Sequence, residues 1–244
     1  MGHITPSDIT LYCNTNGPLI KGGVKAVVVE LPGLGGGSCL GGVMDMCVYD
    51  NAYMRDLGER GILAAYMFPG PWSWMNKAAV GYCDLVLDAI YEKYGLTDGT
   101  PLVACGGSMG GLGALIFSAD SRHKVTACAA ACPCCDVPAA YEALPEFRRT
   151  MLSAVTSYGV APDEALRLIS PVHRLDDMPY IPYRITADGA DELFPESGLR
   201  AFADAMISSG RDVTYVSLPG QGHGGFTPEE REAFHIFIRN NCDP

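Results

Sequence analysis

Basic residues are scarce: 17 Lys and Arg stand against 28 Asp and Glu in 244 residues, a formal net charge of −11. Phosphate binding needs clustered cations, so a nucleic-acid partner is not expected. Long apolar runs are missing too. No stretch approaches the roughly 18 uninterrupted apolar residues of a membrane span, and an acidic surface disfavours docking on anionic bilayers. The first residues, MGHITPSDITLYCN, contain neither a positive leader nor an apolar core, and Pro6 stands where a myristoylation pattern requires Ser or Thr. The expectation is a cytoplasmic protein without a membrane partner. Tryptophan occurs only twice, as Trp72 and Trp74 on one segment.

Cysteine is abundant, with ten residues, but its spacing lacks what a metal site needs. Cys128, Cys132, Cys134 and Cys135 end in CPCC without a second C-x-x-C or H-x₃-H pair, so they read as small buried thiols rather than zinc ligands. Cys39 and Cys47 have no basic partner to activate them. Without a visible leader, reduced thiols are expected, and no metal.

With 48% hydrophobic residues the chain can build a large core, and its length suits one domain spanning 1–244. Nearly continuous apolar runs at 24–31, 63–68, 101–105, 125–132, 181–186 and 213–218 read as parallel strands covered on both faces. Between them run helical patterns. Val80, Cys83, Leu87, Ile90 and Tyr94 share one helix face, as do Leu199, Phe202, Ala203 and Met206. Thr227, Pro228 and Glu230 read as N-cap, first helical position and capping box of a last helix. Strand–helix alternation predicts a doubly wound, mostly parallel α/β sheet. Residues 138–179 break the rhythm: they offer helical patterns at 141–158 and 162–169 but no strand, and are expected to form a small helical lid insertion.

Three loops carry the chemistry. Gly106-Gly107-Ser108-Met109-Gly110-Gly111 follows a strand and opens a helix, which is G-x-S-x-G in the context of a nucleophile elbow. The small neighbours let strand and helix approach closely, and the helix N-terminus favours negative charge developing at Ser108. The orienting acid of an elbow serine follows it in the chain, and the base comes last. Strand 181–186 runs into Asp188-Gly-Ala-Asp191-Glu192-Leu-Phe-Pro195, and strand 213–218 into Gly220-Gln-Gly-His223-Gly-Gly-Phe226. His223 is the histidine at such a strand end; His3, His123, His173 and His235 read as surface or packing residues. Asp191 is the favoured acid, with Asp188, Glu192 and Asp136 as competitors. Trp72 and Trp74 follow strand 63–68 at the same edge, where they either wall a substrate pocket or pack on the insertion.

These loops, GGSMGG, DGADELFP and GQGHGGF, make the chain resemble the α/β-hydrolase superfamily of serine hydrolases, in its carboxylesterase and prolyl-oligopeptidase-like branch. The likeness runs from about Val24 to the C-terminus. It implies Ser108 as nucleophile, His223 as base and Asp191 as acid, with no cofactor. The family's oxyanion turn, commonly His-Gly-x-Gly, appears as Pro32-Gly33-Leu34-Gly35-Gly36-Gly37, with proline where histidine is usual. The backbone donors survive that change, so the Leu34 and Met109 amides are the expected oxyanion hole. The expected substrate is a small carboxylic ester with a short acyl or aryl group. A prolyl-oligopeptidase-like peptidase and a non-catalytic binding protein on the same scaffold are the alternatives. The peptidase is disfavoured because only about 20 residues precede the first core strand, where those enzymes usually carry a propeller.

Overall fold

The computed structural model describes residues 2–41, 49–218 and 220–243. Its strands are β1 (Cys13–Thr15), β2 (Ala26–Leu31), β3 (Ile62–Met67), β4 (Leu102–Gly107), β5 (Ala127–Ala131), β6 (Tyr183–Asp188) and β7 (Val213–Leu218). They form one seven-stranded sheet in the order β1-β3-β2-β4-β5-β6-β7. β1 pairs antiparallel with β3, and the remaining neighbours run parallel. The helices are α1 (Ala52–Arg60), α2 (Lys77–Tyr94), α3 (Met109–Asp120), α4 (Val137–Ala143), α5 (Arg148–Val155), α6 (Pro162–Leu168), α7 (Glu196–Ser208) and α8 (Pro228–Asn240).

The period-2 alternation of a strand sorts β2 between two cores. Val27, Val29 and Leu31 join one core with α2, α3, α7 and the 137–178 segment. Ala26 and Val28 join the other, under α1 and α8, with Tyr53, Leu57, Phe234 and Ile238. Coverage on both faces explains why β2 to β6 read as nearly unbroken apolar runs, whereas β7, at the sheet edge, is only half-buried. The strand order reverses between β2 and β4, so the loops that leave them open a crevice at the carboxyl edge of the sheet, where such folds bind ligands. No helix among the described residues is long and apolar enough to cross a membrane.

The structure departs from the sequence reading in four places. β1 and α1 had no counterpart there. The helical pattern at 141–158 is broken: Leu144 adopts ψ +78° before Pro145, which disfavours helical backbone in its predecessor and separates α4 from α5. The Thr227 side chain does cap α8 by accepting the Glu230 amide at 3.1 Å. The Glu230 carboxylate instead accepts from Arg184 at 2.5 Å, so the reciprocal half of the capping box is replaced by an ion pair.

Candidate active site

Ser108 sits between β4 and α3 with φ +59° and ψ −124°, outside the regions an L-residue favours. The turn is held from both sides. The Ser108 N–H donates to the Ala131 carbonyl at 2.8 Å, and its own carbonyl accepts the Leu112 amide as the first bond of α3. Glycine is required around it, since a Cβ on Gly106 would collide with the Gly110 carbonyl, and one on Gly110 with the Leu31 carbonyl. That close approach seats the N-terminus of α3 beneath the hydroxyl.

The Ser108 hydroxyl lies 2.8 Å from His223 Nε2, and His223 Nδ1 lies 2.8 Å from Asp191 Oδ2. A carboxylate at Nδ1 selects the tautomer protonated there, leaving Nε2 to accept from Ser108. Phe194 stands edge-on to the imidazole at 5.2 Å between ring centroids and limits its rotation. Gly222 and Gly224, on either side of His223, take φ +76° and +72°. The Asp191 side chain is 1% exposed. Its Oδ1 accepts the Leu193 and Phe194 amides at 2.8 and 2.9 Å. Burial pushes its carboxyl up, but the His223 hydrogen bond, the two amides and the charge of His223 outweigh this and hold it below its ordinary 3.8.

The competing acids are elsewhere. Asp188, at the end of β6, is 1% exposed and accepts the amides of Ala190, Gln221 and Gly222 at 2.7, 2.7 and 3.0 Å. It fastens the histidine loop to the acid loop without touching His223, a role the sequence reading did not assign. Asp136 caps α4 by accepting the Ala139 amide, and Glu192 lies exposed beside Gly222.

After β2, Pro32–Gly37 forms a tight turn closed by Gly33 N–H to Gly37 carbonyl and Gly36 N–H to Gly33 carbonyl bonds. Gly35 and Gly36 take φ +76° and +95°. Among the described residues the Leu34 and Met109 N–H groups donate to no protein acceptor. Both residues line the same cavity as Ser108 and His223. Two preorganised donors beside a serine hydroxyl can stabilise an oxyanion. The turn is braced from below by Glu30, fully buried in β2. This carboxylate accepts from the Ser38 hydroxyl at 2.6 Å, the Cys39 amide at 2.7 Å, the Leu40 amide at 3.0 Å and the Tyr49 hydroxyl at 2.5 Å.

The cavity holds about 480 Å³. Trp74, Phe147, Leu193 and Phe194 form its apolar wall. The two tryptophans part company. Trp74 is buried at φ +42°, and its indole donates to Thr150 Oγ1 at 3.0 Å, joining the loop after β3 to α5. Trp72 is 45% exposed and takes no part in the cavity wall, so it does not contribute as expected. Of the insertion's apolar residues, Phe147 reaches the cavity, while Leu144, Met151, Val155 and Leu166 are core residues. Asn76 adds a second tie by donating to the Ala154 carbonyl at 2.7 Å.

No group of three metal-ligating side chains forms among the described residues. Cys128, Cys132, Cys134 and Cys135 are buried with free thiols, and burial pushes Cys128 to about 12 and Cys132 to about 11. Cys39 reaches the cavity wall, but its hydrogen bond with Cys105, then burial, holds its thiol well above 9.0. Such thiols are poor nucleophiles at neutral pH. Cys47 lies outside the described residues.

The profile of the prolyl oligopeptidase family matches residues 78–238. No curated protein matches the sequence. Among solved structures, puromycin hydrolase superposes with a TM-score of 0.67 at 19% identity, covering 91% of this chain and 34% of its own. Est1E from Butyrivibrio proteoclasticus gives 0.62 at 15% identity, covering 96% of this chain and 98% of its own. The acylaminoacyl peptidase of Pyrococcus horikoshii gives 0.69 at 12%, covering 90% and 37%. The chain thus spans about a third of puromycin hydrolase. At these identities the likeness shows the fold, which is that of the α/β-hydrolases.

Proposed function

The chain belongs to the prolyl oligopeptidase family, and from that premise we propose that it is a serine hydrolase cleaving small carboxylic esters through an acyl-enzyme. The observation that carries this reading is the relay of two 2.8 Å hydrogen bonds from Ser108 through His223 to Asp191, beside the unpartnered Leu34 and Met109 amides. Ser108 Oγ attacks the carbonyl carbon as its proton passes to His223 Nε2. The Leu34 and Met109 amides hold the oxyanion, and collapse expels the alcohol with that proton. Water, deprotonated by His223, then attacks the acyl-enzyme, and collapse breaks the Ser108 Oγ–acyl bond, releasing the carboxylic acid as His223 returns the proton to Ser108. Asp191 stays ionised and orients the imidazole.

An ester of modest size suits the cavity. Trp74, Phe147, Leu193 and Phe194 offer apolar surface to a short acyl or aryl group. Among the described residues the wall contains no Asp or Glu to anchor a free substrate amine. The segment 138–179 serves as a fixed cover, held by the Trp74–Thr150 and Asn76–Ala154 bonds.

The second reading is amide cleavage, since puromycin hydrolase and an acylaminoacyl peptidase share the fold. Profiling with p-nitrophenyl esters of graded acyl length beside prolyl and other aminoacyl amides separates the two. The ester reading predicts kcat/KM greatest at acetyl to butyryl and lower by octanoyl, because a methylene that clashes costs about as much as one that fits contributes, roughly 1 kcal/mol. Faster turnover of the amides would make the chain a peptidase.

A further inference from the structure

The cavity straddles the carboxyl edge of the sheet, and its two sides differ. On the side of the larger core stand Leu34, Trp74, Phe147, Leu193 and Phe194. On the side of α1 and α8 stand Cys39, Phe226 and Arg231. Arg231, one turn into α8, is the one Lys or Arg in the wall among the described residues, and no Asp or Glu lines the wall with it.

A protein of net charge −11 offers many partners for a cation. Its neighbours on α8 are nevertheless committed elsewhere: Glu230 to Arg184 at 2.5 Å, and Glu232 to Arg239 at 2.6 Å. Among the described residues Arg231 forms no ion pair, and the one hydrogen bond it donates is from its backbone to the Thr227 carbonyl. Its guanidinium lies over the Phe226 ring, 5.4 Å from the centroid. This contact uses no N–H of the guanidinium, and a guanidinium with its N–H groups uncommitted suits a carboxylate. Among the described residues this half-buried cation is unpaired and its cavity holds no carboxylate, a setting that suits an anion from outside.

We infer that Arg231 selects ester substrates that carry a carboxylate, binding the anion on the α8 side of the cavity while the scissile carbonyl meets Ser108. This rests on the hydrolase reading above and deepens it by naming the substrate class. The larger-core side then receives the apolar part of the same molecule.

Two substrate pairs test this: 4-acetoxybenzoate against phenyl acetate, and mono-p-nitrophenyl glutarate against p-nitrophenyl valerate. The wild type should prefer the anionic member of at least one pair in kcat/KM. Arg231→Gln should reduce that preference by roughly tenfold, the scale of one charge-assisted hydrogen bond. Arg231→Lys should keep a large part of it, and added salt should weaken it in the wild type. In parallel, calorimetry should detect benzoate binding to Ser108→Ala protein and its loss when Arg231→Gln is added. Ester turnover with no anionic preference, or with one that survives Arg231→Gln, overturns the inference and leaves the hydrolase reading standing. Benzoate binding that depends on Arg231, without turnover of any ester, supports the anion site and overturns the ester reading. Absence of benzoate binding counts against the anion site whatever the turnover.

Discussion

The Tyr49 hydroxyl donates to Glu30 Oε2 at 2.5 Å, tying Tyr49 to the buried strand that leads into the Pro32–Gly37 turn. Glu30 receives three further donors from Ser38, Cys39 and Leu40. A buried carboxylate with four donors is satisfied without a cation, and an amide in its place is not, because its NH₂ would face donors. Glu30→Gln is therefore expected to lower unfolding free energy by about 1–3 kcal/mol and to reduce kcat with less change in KM, through the Leu34 amide. Urea denaturation and steady-state kinetics on the same preparation check this. A stability loss with unchanged kcat would limit Glu30 to a structural role.

Asp188 and Asp191 lie three residues apart and do different work. Asp188→Asn places an NH₂ against the Gln221 and Gly222 amides, loosening the loop that carries His223. The expected outcome is a folded protein with kcat reduced at least tenfold. Asp191→Asn should cost more, since the amide stabilises the wrong imidazole tautomer, a change worth about 10⁴ in kcat in the Ser-His-Asp enzymes that define the pattern. Asp136→Asn should leave kcat near the wild-type value, because Asp136 caps α4.

Stability should fall on acidification, beginning above the carboxylate range. The His235 ring stacks on Tyr53 at 3.6 Å, and its Nε2 has no hydrogen-bond partner among the described residues. Burial holds its pKa down from 6.5 to about 4. The unfolded chain thus binds a proton between about pH 6.5 and 4 that the native state does not. By linkage, stability is full above 6.5 and drains as pH falls to about 4, by roughly 2–3 kcal/mol. Asp191, held below 3.8, adds a second loss at still lower pH. Melting curves from pH 7.5 to 4 should show this slope, and His235→Phe should flatten it above pH 4.

The tryptophans offer a contrast within one loop. Trp74→Ala removes a buried side chain and its bond to Thr150, with an expected cost of about 3–5 kcal/mol and a loss of ester selectivity. Trp72→Ala, at an exposed position outside the cavity, should change neither by more than a few tenths of a kcal/mol. Thermal melts and the acyl-length profile of both variants decide it.

Much of this architecture was legible in the sequence because strong local signals coincide with it. Unbroken apolar runs mark strands covered on both faces, and glycines mark the turns beside Ser108 and His223 that only they can form. Features fixed by tertiary context stayed hidden. β1 is three residues long, too short for a periodic signal, and exists by pairing with β3. Glu30 lies in an apolar run, and its charge finds partners only when Ser38, Cys39, Leu40 and Tyr49 are brought to it. Asp188 and Asp191 share one loop, and only the path of the histidine loop separates their roles. Nothing in the spacing of α8 reveals that Arg231 faces the cavity while Glu230 and Glu232 turn to other arginines.

Ser108 is expected to be the nucleophile, activated by His223. Intact-mass spectrometry after exposure to a fluorophosphonate tests it most directly. Wild-type protein should gain one adduct, mapped to Ser108, and lose ester turnover in proportion. Ser108→Ala should gain none while keeping the wild-type circular dichroism and melting transition. An adduct on another serine, or full turnover in Ser108→Ala, would contradict the account.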